Sequence, residues 1–124
     1  MKSLGRAPER LLGGLRLAVA GAFVAPAVAA RMLTIEPTPQ SAYLLRLWAA
    51  RNVAMTAGLW ISSGHARRLW WQTGIACDAL DVAAGLLALR EGKPRAAALA
   101  DAGAALVATA LGTAGLVADG RRGR

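Results

Sequence analysis

Residues 43–89 read YLLRLWAARNVAMTAGLWIS, SGHARR, LWWQTGIACDALDVAAGLLAL. Two apolar runs, Tyr43–Ser62 and Leu69–Leu89, flank a short basic turn. Each carries polar groups at its midpoint, Arg51 and Asn52 in the first and Asp78 and Asp81 in the second. A helix of about 20 residues at 1.5 Å per residue spans about 30 Å, which matches the hydrocarbon thickness of a bilayer. A lone charge at the centre of such a helix costs about 2.5–3.5 kcal/mol on insertion scales, so charges there pair or line water. Counting from opposite ends puts Arg51 about 12 Å and Asp78 about 14 Å deep. Trp71, Gly74, Asp78, Asp81 and Gly85 recur at 3-4-3-4 spacing, so both carboxylates share one helix face with two small residues. That face is expected to look inward, with Arg51 meeting Asp78 or Asp81, Asn52 adding a hydrogen bond, and Gly74 and Gly85 permitting close approach. Two carboxylates facing one arginine leave an acidic excess.

Composition agrees with a lipid environment. Of 124 residues, 56% are hydrophobic and 18% charged, with mean hydropathy +0.40, whereas a globular domain carries about a quarter charged residues. The net charge of +8 resides in clusters at segment ends. No basic stripe runs along a polar helix face, so nucleic acid is not expected as a partner. The single cysteine, Cys77, excludes an intramolecular disulfide or a paired-thiol redox site.

Upstream, a basic head with Lys2, Arg6 and Arg10 precedes an apolar segment, Leu11–Ala30, interrupted by Arg16 and Pro26. The ending Ala27-Val28-Ala29 suits a cleavable signal peptide. Against cleavage stand Arg16 and the 4-3-4 stripe of Gly14, Ala18, Gly21 and Ala25, a pattern that lets helices pack closely in lipid. A retained span is favoured, although removal of residues 1–29 stays open. Pro26 is expected at most to kink the last turn, and Arg16 to reach the inner headgroups.

Residues 31–41, RMLTIEPTPQS, cannot sustain a helix through two prolines and form a loop. Ser41 is the expected N-cap of the following helix. Beyond Leu89, Gly92 and Pro94 mark a turn, and a fourth apolar segment covers Ala96–Ala118, followed by a basic tail. Its Asp101, Ala105, Ala108, Gly112 and Gly115 share a face, with Asp101 level with Arg46 as a secondary polar pair. Basic residues concentrate around the termini and the Arg67-Arg68 turn, which the positive-inside rule assigns to the cytoplasm. Trp60, Trp70 and Trp71 fall near that interface and Tyr43 near the other. The expectation is an all-α, integral membrane four-helix bundle, one domain over residues 1–124. Its spans, at about 11–30, 43–62, 69–89 and 96–118, run up-down-up-down with both termini cytoplasmic, in a bacterial cytoplasmic membrane.

The remaining candidates carry less chemistry. His65 is the only histidine and falls in a turn, so no histidine-rich metal or haem site is available. Cys77, Met55 and Phe23 read as packing residues. No phosphate-binding glycine loop, His-Glu-x-x-His or Ser-His-Asp set occurs, so no catalytic residue, metal or cofactor is assigned.

The pattern Arg46-Leu-Trp-Ala-Ala-Arg51-Asn52-Val-Ala-Met-Thr-Ala-Gly58, with Asp78 and Asp81 in the next segment, resembles small bacterial four-span membrane proteins grouped as a domain of unknown function. In these an Arg followed by Asp or Asn and a later Gly mark the second span, and an Asp the third. The resemblance covers roughly residues 40–90. It implies the four-span fold and no known activity. Similarity to small multidrug transporters is weaker, because their key acid lies in the first span and this first segment has none.

The leading functional expectation is a non-enzymatic membrane protein, structural or binding, whose buried Arg51, Asn52, Asp78 and Asp81 accommodate a small molecule, lipid or partner helix. Proton-linked small-molecule transport is the first alternative, and an intramembrane lipid-modifying enzyme the second. The bilayer is the expected partner, and a homo-oligomer is compatible with the sequence.

Overall fold

The computed structural model describes residues 6–122, which form five α-helices and no strand. Helix α1 spans Ala7–Val24, α2 Pro26–Met32, α3 Pro39–Ile61, α4 Gly64–Arg90 and α5 Arg95–Arg122. The all-α class therefore holds among the described residues.

Proline sets the first boundary. It has no N–H to donate to the preceding turn, and its ring drives the residue before it out of helical geometry. Ala25 accordingly adopts φ −123°, ψ 61°, and α2 leaves α1 at a bend of 120°. The one continuous helix expected over 11–30, with at most a kink at Pro26, is corrected to two helices set at a sharp angle. After α2 the chain reverses through Thr34, at φ 59°, while Ile35 N–H donates to Ala30 O at 2.7 Å.

Thr38, rather than Ser41, caps α3. The Ser41 N–H donates to Thr38 Oγ1 at 3.1 Å and the Thr38 N–H to Ser41 Oγ at 2.8 Å, a reciprocal capping box ahead of Pro39 in the first turn. Only Ser62 and Ser63, both extended, separate α3 from α4. His65 thus lies in the first turn of α4 instead of a loop, and α5 continues through Asp119 into the stretch expected to be a tail.

Packing pairs α4 with α5 and α1 with α3, while α1 also touches α5 and α3 touches α2 and α4. One apolar core gathers Leu12, Leu59, Trp71 and Ala108, and a second gathers Ala22, Ala30, Leu45 and Ala49. Trp71, expected at an interface, is 2% exposed. It fits because Gly115 lacks a β-carbon, which would lie 2.2 Å from the indole ring. Trp71, Gly74 and Asp78 form the buried stripe of α4, with Asp81 and Gly85 half-buried, as the spacing predicts. The small-residue stripe of α1 is on the wrong side: Gly14, Ala18, Gly21 and Ala25 are exposed, and Leu12, Gly13, Arg16 and Ala22 face inward. A charged side chain with a partner waiting inside outweighs the smoother face in setting the helix's rotation.

The outer surface is apolar along its length, from Leu17 and Phe23 through Leu47 and Val53 to Leu80, Leu106 and Val107. Helices α4 and α5 are each long and apolar enough to cross a membrane, with mean hydropathies of 1.3 and 1.5, and the bent α1–α2 pair adds a third if it counts as one broken span. Helix α3 is not among them, its run being diluted by Arg46, Arg51 and Asn52.

Candidate functional site

A cavity of about 450 Å³ lies between α1, α3, α4 and α5. Leu15, Val19, Leu45, Trp48 and Ala108 supply apolar wall, and Arg16, Asn52, Asp78, Asp81, Lys93 and Asp101 supply polar groups. Four of the six residues expected to be polar sites therefore meet around one space.

Arg51 takes one of its two expected partners, and the other polar groups are arranged differently from expectation. Arg16, expected at the headgroups, is 3% exposed and donates from one terminal nitrogen to Asp78 Oδ2 at 2.7 Å. Gly74 makes the slot, since a β-carbon there would sit 2.7 Å from that guanidinium. Arg51 meets Asp81, at 2.5 Å, and stands behind the cavity wall rather than lining it. Asn52 is buried but donates Nδ2 to Trp48 O in its own helix at 2.9 Å instead of joining the ions. The Arg46–Asp101 pair is corrected outright. Asp101 accepts from Lys93 Nζ, whereas Arg46 Nε donates to Phe23 O at 3.2 Å, serving one of the carbonyls that the end of α1 leaves without a helical partner.

Each bridge uses only Oδ2 of its carboxylate. Asp78 Oδ1, Asp81 Oδ1 and Asn52 Oδ1 accept no hydrogen bond among the described residues, and the buried Nε groups of Arg16 and Arg51 donate none. Buried groups such as these two Nε atoms are ordinarily satisfied by protein or by something that enters the site. The walls suit an apolar group and the unused oxygens a hydrogen-bond donor. No protein-family model, curated protein or solved structure matches the chain. The site's chemistry therefore rests on these residues alone. Among the described residues no three His, Cys, Asp or Glu side chains cluster to hold a metal.

A second constellation surrounds Arg67, a residue that the sequence marks only as part of the basic turn that sets orientation. It bridges Glu9 at 2.8 Å and Asp119 at 3.1 Å, donates to Leu59 O at 2.7 Å, and lies 6.0 Å from the centre of the Trp71 ring. One guanidinium thus ties the start of α1, the end of α3, the start of α4 and the end of α5. The signal for it was Glu9, the only acid in a basic head; the signal for Arg16 was the unmatched second carboxylate of α4.

Proposed function

We propose that the chain is a multi-pass protein of a bacterial cytoplasmic membrane that binds a small amphiphile in the cavity and catalyses no reaction. The observation that carries this is the cavity itself, a half-open and mostly apolar cleft whose wall presents Asn52 and Asp78 with oxygens free to accept. Sites for small molecules are concave, mostly apolar and fitted with a few convergent polar groups. The occupant has a hydrogen-bond-donating head, such as a hydroxyl or ammonium, and a short apolar tail.

The membrane placement is a four-span up-down bundle, with α1–α2 as one broken span and both termini in the cytoplasm. Its support is the Arg67 cluster, where helix starts and ends alternate, and the gathering of Arg68, Arg121 and Arg122 at that same end. The resemblance to small four-span proteins fits the same architecture. A reporter fused after Arg124 is expected to signal only from inside the cell, and an external signal would overturn the orientation.

Native mass spectrometry of gently extracted full-length protein tests the binding. A bound small amphiphile is expected with the wild type and its loss with Asn52→Leu, while circular dichroism shows the variant folded. A wild type that carries and accepts no such molecule overturns the proposal. The lining of one cavity by both Asp78 and Asp81 favours a second reading, proton-linked transport. In proteoliposomes that reading requires substrate-driven proton movement that Asp81→Asn abolishes.

A further inference from the structure

A second, open cavity of about 1080 Å³ lies where α4 begins and α5 ends, at the Arg67 end of the molecule. Arg68, Arg121, Arg122 and His65 border it, with Leu116 and Val117 along one wall. Its one carboxylate, Asp119, is already bound by Arg67. Arg68, Arg121 and Arg122 are exposed and engage no acid among the described residues. Three free cations thus converge on a recess where Arg67 is shared between Asp119 and Glu9, and the local balance stays positive.

The backbone adds to this field. Ser63 is the N-cap residue of α4 but makes no side-chain capping bond, so the first-turn N–H groups at the cavity's edge keep their donors and the positive end of the helix dipole. Guanidinium groups and helix N-termini both suit phosphate oxygens. The apolar wall chooses between sources of phosphate. In that wall Val117 is 50% exposed, and outside the recess Ile61, at the end of α3, and Leu69, in the second turn of α4, are 85% and 48% exposed. A free phosphate has no use for that surface, whereas a lipid carries its phosphate on acyl chains that cover it.

We infer that this recess binds the phosphate of an anionic phospholipid headgroup, with Arg68, Arg121 and Arg122 as its ligands. The inference rests on the membrane placement proposed above but not on the occupant of the inner cavity. Each basic residue near an anionic lipid surface strengthens binding about fivefold. Removing three lowers binding on the order of 100-fold.

The test uses the full chain in detergent with added phosphatidylglycerol or phosphatidylcholine, read by native mass spectrometry. The wild type is expected to retain phosphatidylglycerol selectively. The Arg68→Gln/Arg121→Gln/Arg122→Gln variant should lose that selectivity by on the order of 100-fold, and Asn52→Leu should keep it. Gly120→Asp adds an acid where a β-carbon meets nothing within 4 Å; it should also weaken retention, and it serves if the triple variant does not fold. Equal retention of the two lipids by the wild type, or unchanged selectivity in the folded triple variant or, in its absence, in Gly120→Asp, overturns the inference. Inorganic phosphate that displaces phosphatidylglycerol at equal concentration would assign the recess to free phosphate and overturn the lipid source. Loss of the amphiphile with retained phosphatidylglycerol selectivity would break the inner-cavity reading alone.

Discussion

Two ion pairs hang from the same helix three residues apart, and they live in different worlds. The Arg16–Asp78 side chains are 4% and 6% exposed, and those of Arg51 and Asp81 are 37% and 33% exposed. Both pairs tie α4 to a neighbour, α1 in the first case and α3 in the second. In the buried pair each ion is the other's only counter-charge within bonding distance among the described residues, so its loss strands a charge. In the half-open pair Asp81 also reaches the cavity, which can take over part of its solvation. Both pairs border the cavity, so the same chemistry serves as a buried lock in one place and as a looser, adjustable wall in the other.

The largest expected effect follows from breaking the lock on one side. Arg16→Met leaves Asp78 buried without a cation and should cost about 3–5 kcal/mol, whereas Arg16→Met/Asp78→Leu removes both charges and should recover most of the loss. Reversible unfolding in mixed micelles measures both variants. A double variant no more stable than the single one would show that the pair is net stabilising and that the contrast with Arg51–Asp81 is smaller than burial suggests.

A smaller effect sharpens the comparison by acting on the slot instead of the charges. In Gly74→Ala the new methyl group lies 2.7 Å from the Arg16 guanidinium. The flexible end of arginine must move and its bond to Asp78 must lengthen, for an expected cost of about 1–3 kcal/mol. The cost should shrink in the Arg16→Met/Asp78→Leu background, since the guanidinium no longer needs the slot. Additive losses in that cycle would mean that the methyl group strikes the backbone packing rather than the lock.

How far these contacts were legible differs from residue to residue. The inward face of α4 was readable because Trp71, Gly74 and Asp78 obey helical spacing and a carboxylate cannot face hydrocarbon. Arg51 facing that helix was readable from depth along two segments joined by a short turn, although its choice of Asp81 over Asp78 depends on where Arg16 arrives. That arrival was hidden. Arg16 is in a segment with a competing small-residue stripe, and local pattern cannot tell which of two faces is buried when the deciding contact is 62 residues away. The bend at Pro26 was understated because a proline in a lipid-facing helix often only kinks it, while here tertiary contacts of α2 with α3 accept the full turn. Arg46 and Asp101 share a depth, but equal depth places residues on a level and not on facing sides. Each found a nearer partner.

The smallest effect belongs to the half-open pair, and it is the one that separates stability from function. Arg51→Gln removes the cation but keeps length and hydrogen-bonding capacity, and more than a third of the arginine side chain is already exposed. Asp81 lines the half-open cavity and can be solvated from there, so unfolding should shift by less than in either single variant at the buried pair. Asp81, released from Arg51, becomes the strongest free acceptor on the cavity wall. Binding of a cationic amphiphile should therefore tighten as stability falls slightly, an opposition that a purely structural bridge cannot produce. The comparison breaks if Arg51→Gln costs as much as Arg16→Met, because the half-open pair would then be a second lock and the cavity wall would have no adjustable part.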